Sequence, residues 1–271
     1  MAELAHVPKT ARGWRNALFA LLLVAARALE LGGRAMVYLA MGTLRLHDLR
    51  EAIAKRWAAF GHGDDLIGSG LMPWERDLYD RFLKPGDRVF VVGCGTGRDL
   101  LVLLKEGYRA GGLDIAPETI AIAREVLGKE GLHADLYTGG IETVDLPDRF
   151  DVFSFSWFCY GYIPGTNARI AVLGKVAAHL NHGGRVLISY NLAERPPRSL
   201  PIGLTRFAAR LTRSDWRPER GDVVIQDTED RHAIHYEHQF IDDELENEAR
   251  AAGLRVVFHE RRNVGIAVLT V

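Results

Sequence analysis

Residues 89–99, which read VFVVGCGTGRD, form the segment whose composition and spacing most clearly indicate chemistry. An apolar run leads there into three alternating glycines, and a helical period begins directly after them. Glycine suits such a turn because it adopts positive φ at little cost and lets a ligand lie against bare backbone. The helix that follows presents unpaired N–H groups and the positive end of its dipole. The segment therefore predicts a ligand-binding loop at the end of a buried strand.

The spacing of the glycines separates two classes of ligand. Gly93, Gly95 and Gly97 form a G-x-G-x-G pattern, whereas a dinucleotide-binding loop has G-x-G-x-x-G, and Arg98 stands where its third glycine would be. Asp114 ends the next apolar run, about twenty residues on, where a carboxylate can accept hydrogen bonds from both ribose hydroxyls. Loop and acid together favour an adenosyl compound without a pyrophosphate, and they disfavour a nicotinamide-dependent oxidoreductase.

The elements that must position these residues follow an alternating pattern. Short apolar runs alternate with amphipathic segments between residues 73 and 193, which is typical of strand–helix–strand units. We therefore predict an α/β fold with a doubly wound, mostly parallel sheet and helices on both faces. The predicted strands are 89–92, 110–114, 150–156 and 185–191, and the predicted helices are 97–106, 117–127 and 167–180.

The C-terminal part of the chain adds an insertion and a final strand pair. A proline-rich turn at 195–201 precedes a basic amphipathic helix in which Arg206, Arg210 and Arg213 recur at helical spacing. This helix and the strands 222–226 and 232–240 predict a helix and hairpin insertion at about 195–231. A helix at 242–252 and strands at 255–260 and 265–271 complete the predicted domain, 73–271.

Residues 1–72 are predicted to form an N-terminal helical extension. The segment 16–46 is very apolar, but Arg27, Glu30 and Arg34 interrupt it and fall within a sector of about 60° on a helix. Its uncharged stretches reach only about ten residues, whereas a membrane-spanning helix needs roughly twenty. The pattern predicts one helix, or two broken at Gly32–Gly33, that does not span a membrane. Capping of the binding cleft, a subunit contact and a membrane-facing position remain alternatives.

Residues 89–99, together with GLDIAPETI at 112–120, resemble the class I methyltransferase family. The resemblance continues through 150–163, 179–189 and 238–257, and covers about 73–271. It implies a seven-stranded sheet with an antiparallel last strand. It also implies S-adenosyl-L-methionine (SAM) as the cofactor, bound at the C-terminal edge of strands one to four.

The resemblance also implies which residues form the site. Tyr160 belongs to the aromatic cluster that ends the fourth strand, where the transferred methyl group is expected. It is the predicted catalytic residue, and packing in the core is the alternative. Cys94 is expected to fill the turn as a small side chain rather than to act as a nucleophile. The predicted cofactor-binding residues are Gly93, Cys94, Gly95, Thr96, Gly97, Asp114, Ile115, Gly140, Ile141, Ser156 and Trp157.

Two positions depart from the family pattern. Val91 stands where the family has an acid two residues before the first glycine, and Gly140 stands where the third strand ends in aspartate. The adenine would then depend on backbone groups near Ile141. These departures keep open a non-catalytic SAM-binding or scaffold protein. An aminopropyl transferase, which shares the fold, is disfavoured because no acidic cluster is dedicated to a polyamine.

The composition of the chain narrows the classes of molecule that it is expected to bind. The net charge of −1, from 34 basic and 35 acidic residues, provides no global field for nucleic acid. Two cysteines favour a reducing, cytoplasmic setting, and His232, His235 and His238 lack the companions of a familiar metal site. We therefore predict a small-molecule O-, N- or C-methyltransferase without a metal. A hydrophobic or lipid-like acceptor is favoured, and oligomerisation and peripheral membrane contact remain open.

Overall fold

The computed structural model describes residues 13–60, 65–146, 148–193, 199–226 and 234–271. The helices are α1 Trp14–Met41, α2 Leu46–Phe60, α3 Asp65–Ser69, α4 Pro73–Phe82, α5 Arg98–Lys105, α6 Pro117–Lys129, α7 Thr166–Ala178, α8 Ser199–Leu211 and α9 Glu244–Ala251. The strands are β1 Arg88–Val92, β2 Arg109–Asp114, β3 Leu136–Thr138, β4 Phe150–Phe155, β5 Leu180–Tyr190, β6 Asp222–Gln226, β7 Ile234–His238, β8 Arg255–Arg261 and β9 Gly265–Thr270. A 3₁₀ segment, Ser156–Tyr162, follows β4.

Seven strands form one sheet in the order β3-β2-β1-β4-β5-β9-β8. The pairs from β3 to β5 are parallel, and β9 runs antiparallel to both of its neighbours. The predicted fold class, including the antiparallel last strand, is confirmed. The chain reverses its strand order between β1 and β4, and ligands of open α/β sheets bind beside such a switch point at the carboxyl ends of the strands.

The alternation of side chains along β1 divides the core between the two faces of the sheet. Phe90 and Val92 pack in a cluster with residues of α7 and α9, whereas Val89 and Val91 pack with residues of α4, α5 and α6. All four side chains are almost fully buried. This explains why the parallel strands read as continuous apolar runs rather than as alternating ones.

A third apolar cluster lies outside the sheet and joins two distant parts of the chain. Leu49 and Ile53 of α2 pack with Trp216, with Val224 of β6 and with Tyr236 of β7. Strands β6 and β7 pair as a separate antiparallel hairpin. We call α2 and this hairpin the cap. The N-terminal extension and the insertion thus form one layer, whereas the sequence analysis treated them as separate additions.

Helix α1 is continuous through Gly32–Gly33, so the alternative of two helices is wrong. None of its residues is buried. The chain just after α1 packs closely on α8, because a Cβ at Gly42 would overlap the Thr205 carbonyl and the Ala208 side chain. By length and composition α1 could cross a membrane.

A buried ionic network ties the hairpin to α7 and α9. Arg169 of α7 is fully buried and donates to Glu248 of α9 at 2.7 Å and to Glu219 at 3.2 Å. His238 of β7 lies between Asp222, 2.8 Å from Nδ1, and Glu244, 3.0 Å from Nε2. Such a network specifies one arrangement of these elements, because each buried charge requires its partners.

Candidate functional site

A cavity of about 1130 Å³, including its open mouth, lies at the carboxyl ends of β1, β2 and β4. Ten of the eleven predicted cofactor-binding residues line it. They are Gly93, Cys94, Gly95, Thr96, Asp114, Ile115, Gly140, Ile141, Ser156 and Trp157. The structure therefore brings together residues from four separate segments of the chain.

Gly97, the eleventh predicted residue, is not among the residues that form the wall of this cavity. It caps the N-terminus of α5 with φ of 90°, and a Cβ there would lie 3.2 Å from the Ala123 side chain of α6. Gly93 and Gly95 also have positive φ, of 72° and 52°. The third glycine therefore allows two helices to approach, while the first two shape the loop that faces the ligand.

Asp114 is buried at the end of β2 and its carboxylate is already well hydrogen-bonded. Oδ1 accepts from the backbone N–H of Ala116 at 2.9 Å and from the Thr119 hydroxyl at 3.1 Å, and Oδ2 accepts from the Gly95 N–H at 2.9 Å. Burial raises the pKa of Asp114, against the opposing effect of these hydrogen bonds. Oδ2 accepts fewer of these hydrogen bonds than Oδ1, so it is the oxygen with more room for a further donor.

Arg98 and Asp99, in the first turn of α5, line the cavity but were missed by the sequence analysis. Asp99 accepts hydrogen bonds from Tyr79 at 3.0 Å, from Ser156 at 2.8 Å and from Arg98 at 2.8 Å. In a sequence, a charged pair after a glycine loop is typical of the solvent-exposed first turn of a helix. The signal that could have identified Asp99 is its position just after the third glycine, where a carboxylate meets the positive end of the helix dipole.

The guanidinium of Arg98 has one free donor. Its Nη2 lies 2.5 Å from Glu75, its Cζ lies 4.8 Å from the centre of the Trp157 ring, and Nη1 is buried without a hydrogen-bond partner among the described residues. Burial raises the pKa of Glu75, helped by Asp99 and opposed by Arg98. An orphaned cationic donor in a cavity wall is costly unless a ligand satisfies it.

Glu142 is the third carboxylate of the cavity wall, after Asp99 and Asp114. Glu142 lines the cavity and folds back over Gly140, so that a Cβ at Gly140 would lie 2.6 Å from its Oε2. Arg50 of α2 reaches the other oxygen at 3.4 Å. Glu142 could not be predicted from the family pattern, because it comes two residues after the position at which the family carries an acid.

Trp157 and Phe158 adopt left-handed backbone angles, with φ of 39° and 65°. For aromatic residues this strain costs of order 1–3 kcal/mol each and persists only where the surroundings enforce it. The Phe158 N–H donates to the Ser189 hydroxyl at 3.1 Å, and the Phe158 ring stacks on Trp74 at 5.7 Å. The strained turn carries Trp157 into the cavity wall.

The same turn corrects the prediction for Tyr160. This residue is fully buried, is not part of the cavity wall, and donates from its hydroxyl to Glu248 at 2.7 Å. Its ring stacks on Phe240 at 5.6 Å, so it belongs to the core beside the ionic network. The turn directs Tyr162 toward the cavity instead, because two residues of left-handed backbone change which side chains face the ligand.

Tyr162 lies where the cavity meets the cap. Its ring packs edge-on against Trp57 of α2 at 5.2 Å and against His235 of β7 at 5.4 Å. Burial raises the pKa of Tyr162 well above its ordinary range, so the phenol is protonated at neutral pH and can donate a hydrogen bond. No hydrogen-bond partner of this hydroxyl occurs among the described residues.

Besides Arg50, the wall on the α2 side includes several apolar side chains. Ile53 and Trp57 come from α2, and Ile163 and Pro164 follow the 3₁₀ segment. These side chains add apolar area to the wall that also contains the glycine loop. Of the described residues of the cap, those that line the cavity belong to α2.

The histidines of the hairpin divide into separate roles. His232 lies outside the described residues. The Nε2 of His235 approaches Glu237 at 3.5 Å, and its buried Nδ1 has no hydrogen-bond partner within the described part of the chain. His238, with Glu219 and Asp222, has the geometry of a metal cluster. However, Arg169 lies 3.2 Å from Glu219 and 3.4 Å from His238 Nε2, so a cation already neutralises these carboxylates.

The comparison with known proteins agrees with this geometry. A family model described as "Methyltransferase domain" matches residues 89–184, which contain the glycine loop, Asp114 and the 3₁₀ segment. A solved SAM-dependent methyltransferase from Methanosarcina mazei shares the fold with a TM-score of 0.56 and 19% identity, over 74% of this chain and 97% of that one. Residues 89–184 therefore form a methyltransferase domain, and the fold is that of SAM-dependent methyltransferases.

Two curated relatives are similar to the methyltransferase domain of this chain, and they are named for different compounds. The malonyl-[acyl-carrier protein] O-methyltransferase of Serratia marcescens is 32% identical over 120 residues, which are 42% of this chain and 44% of that protein. The ubiquinone biosynthesis O-methyltransferase of Xylella fastidiosa is 28% identical over 149 residues, 52% of this chain and 59% of that protein. The matches therefore span about half the length of these relatives, and the similarity lies in the domain.

The chemistry of the cavity wall fits SAM. The wall offers Oδ2 of Asp114, an orphaned guanidinium nitrogen on Arg98, and the carboxylates of Asp99 and Glu142. SAM carries ribose hydroxyls, a carboxylate, an ammonium and an adenine amino group, each complementary to one of these. The family and cofactor predicted from the sequence are confirmed.

Proposed function

We propose that this methyltransferase transfers the methyl group of SAM to a small, apolar acceptor bound between the cofactor and the cap. One observation carries the proposal: a single cavity combines the cofactor loop with an apolar wall from α2 and the 3₁₀ segment. The acceptor would occupy the end formed by Ile53, Trp57 and Tyr162. Its apolar character follows from these side chains, since a strongly polar molecule would lose its hydration there without compensation.

Four groups would hold the cofactor. Asp114 would accept one ribose hydroxyl through Oδ2 rather than the two expected from sequence. Arg98 Nη1 would donate to the carboxylate, with Asp99 accepting from the ammonium, and Glu142 would accept from the adenine amino group. In this arrangement Asp99 and Glu142 take the places that Val91 and Gly140 leave empty, which removes the reason to favour a non-catalytic scaffold.

Bound SAM would supply an electrophilic methyl carbon on its sulfonium. The chain's own contribution is position and desolvation, the main sources of rate in such a transfer. Trp157 would place the face of its ring beside the cationic centre. Tyr162 would donate a hydrogen bond to an acceptor heteroatom and orient it, because its raised pKa keeps the phenol protonated.

The names of the curated relatives support an oxygen atom as the methyl acceptor. Both are O-methyltransferases by name, one of malonyl-[acyl-carrier protein] and the other of ubiquinone biosynthesis. A planar or long-chain apolar compound with a nucleophilic oxygen is therefore the first class to test.

The proposal is tested in two steps. Calorimetric titration with SAM and S-adenosylhomocysteine should show binding to the wild type and at least a roughly tenfold loss in Asp114→Ala, since a charged hydrogen bond contributes about 1.5–3 kcal/mol. Asp135→Ala is the matched control, because Asp135 is exposed and outside the cavity wall. Methyl transfer is then measured with isotopically labelled SAM on phenols, quinols and acyl thioesters. Cofactor binding without transfer to any apolar acceptor, together with transfer to a polar one, would contradict the acceptor class.

A further inference from the structure

Helix α1 has a surface that nothing in the described part of the chain covers. Its 28 residues include a series of large apolar side chains that are more than 40% exposed, among them Trp14 at 72% and Leu29 at 78%. The full set is Trp14, Leu18, Phe19, Leu21, Leu22, Leu23, Val24, Leu29, Leu31, Met36 and Val37. A contiguous patch of this kind marks an interaction surface, since water-facing monomer surfaces rarely carry one.

Helix α8 extends the same surface. Its Phe207 and Leu211 are 63% and 74% exposed, although the opposite side of α8 buries Ala208 and Ala209. The Thr212 and Ser214 hydroxyls that follow α8 donate to the carbonyls of Gly42 and Leu44, at 3.3 Å and 2.5 Å. Because α8 is held against the end of α1, both sets of apolar side chains belong to one two-helix surface.

The charges on this surface have one predominant sign. The whole chain has a net charge of −1, yet Glu30 is the single acid within residues 14–41 and 199–213. The basic residues of the two segments are Arg15, Arg27, Arg34, Arg206, Arg210 and Arg213. Apolar side chains flanked by arginine are complementary to the acyl chains and anionic headgroups of a phospholipid membrane.

The position of the charges distinguishes a helix that lies on a membrane from one that crosses it. Helix α1 is about 42 Å long, at about 1.5 Å per residue, which exceeds the hydrocarbon thickness of about 30 Å. Arg27 is at its middle, and Glu30 and Arg34 follow on the same face, with an ion pair of 2.6 Å between them. A crossing helix would place these charges near the bilayer centre, which is costly, whereas a helix in the plane directs their stripe to water.

A second copy of this chain fits the surface less well. Pairing two identical surfaces about a two-fold axis would bring the arginines of one copy against those of the other, with Glu30 as the one acid to offset them. Anionic lipid removes this repulsion. We propose that α1 and α8 form a docking surface for an anionic phospholipid bilayer, with α1 lying in the plane of the interface.

This proposal is independent of the methyl acceptor, so its test uses no activity measurement. The full chain is floated with vesicles of phosphatidylcholine alone and of phosphatidylcholine mixed with phosphatidylglycerol. We expect flotation with the mixed vesicles, little with the neutral ones, and release by high salt, because arginine–headgroup attraction is screened. Resistance to alkaline carbonate extraction would show a membrane-crossing helix and overturn the in-plane position.

Pairs of substitutions test whether the surface formed by α1 and α8 is the one that binds the vesicles. Arg210→Glu with Arg213→Glu should weaken binding to the mixed vesicles at least roughly tenfold, since each basic residue near a charged membrane contributes a several-fold effect. Phe207→Ser with Leu211→Ser should weaken it through the loss of apolar insertion. The matched controls are Arg255→Glu with Arg262→Glu and Val257→Ser, which change exposed residues of β8 and the turn after it.

Each variant is first checked for unchanged binding of S-adenosylhomocysteine, which shows that the domain is folded. Equal flotation of the α8 variants and the controls would overturn the docking surface. So would a stable vesicle-free dimer that the Phe207 and Leu211 substitutions dissociate, because a second copy would then be the occupant.

Discussion

The Ser156 hydroxyl donates a hydrogen bond of 2.8 Å to Asp99, and this contact joins the end of β4 to the first turn of α5. Both residues line the cavity beside the glycine loop. Val91, at the strand position where the family carries its acid, is instead buried in the core between β1 and the helices. The carboxylate on this side of the cavity therefore comes from the helix rather than from the strand.

This arrangement predicts that Asp99→Asn weakens binding of S-adenosylhomocysteine by roughly tenfold to a hundredfold, the worth of one charged hydrogen bond. Binding of 5′-methylthioadenosine, which lacks the amino acid end, should be little changed. Calorimetric titration of both ligands with both proteins measures the difference. An equal loss for the two ligands would mean that Asp99 acts on the fold of the loop and not on the ligand.

At the adenine end, Glu142→Gln should weaken binding of both ligands by several-fold. Arg50→Gln is the control, because it breaks the same 3.4 Å ion pair while leaving the carboxylate in place, and exposed ion pairs contribute only about 0–1 kcal/mol. If the two variants lose affinity equally, the ion pair between α2 and the loop matters rather than a contact with adenine.

Tyr160 and Tyr162 should respond differently to loss of the hydroxyl. Tyr160→Phe removes a buried hydrogen bond to Glu248 and should lower the free energy of unfolding by about 1–3 kcal/mol with little change in methyl transfer. Tyr162→Phe should lower kcat by roughly tenfold or more, the effect of losing one oriented donor, with unchanged affinity for S-adenosylhomocysteine. Urea denaturation and steady-state kinetics separate the two. A loss of activity in Tyr160→Phe without a loss of stability would restore that residue as a catalytic candidate.

The buried network predicts a dependence of stability on pH. Burial alone would lower the pKa of His238, but hydrogen bonds to Asp222 and Glu244 outweigh it and raise the pKa above its ordinary value. A raised pKa in the folded state means that protonated His238 stabilises the fold fully below the unfolded pKa of about 6.5. This contribution is lost as pH rises through the folded pKa.

We therefore expect the free energy of unfolding to fall as pH increases above about 6.5, and we expect His238→Gln to remove that part of the slope. Denaturant titrations of both proteins over this range measure it. A wild-type slope of the opposite sign, or one that the substitution leaves intact, would show that other groups dominate.

The cofactor loop and Asp114 could be predicted from the sequence because their arrangement is local. A buried strand, three spaced glycines and a helix occupy residues 89–99, and Asp114 follows at the end of the adjacent strand β2. Parallel pairing of β1 with β2 then brings loop and acid together without further information. The same local logic predicted six of the seven strands of the sheet, all but β3, and one or two apolar helices over residues 16–46.

The tertiary structure decided what depends on side-chain direction and on contacts between distant segments. Left-handed backbone at Trp157 and Phe158 turns Tyr160 into the core and Tyr162 into the cavity, and no regular period carries that information. Asp99 enters the cavity wall from the first turn of α5, and Glu142 enters it from the segment after β3. The cap joins α2 to a hairpin more than 150 residues later. Only packing of their apolar faces could show that the hairpin supports the helix that lines the cavity.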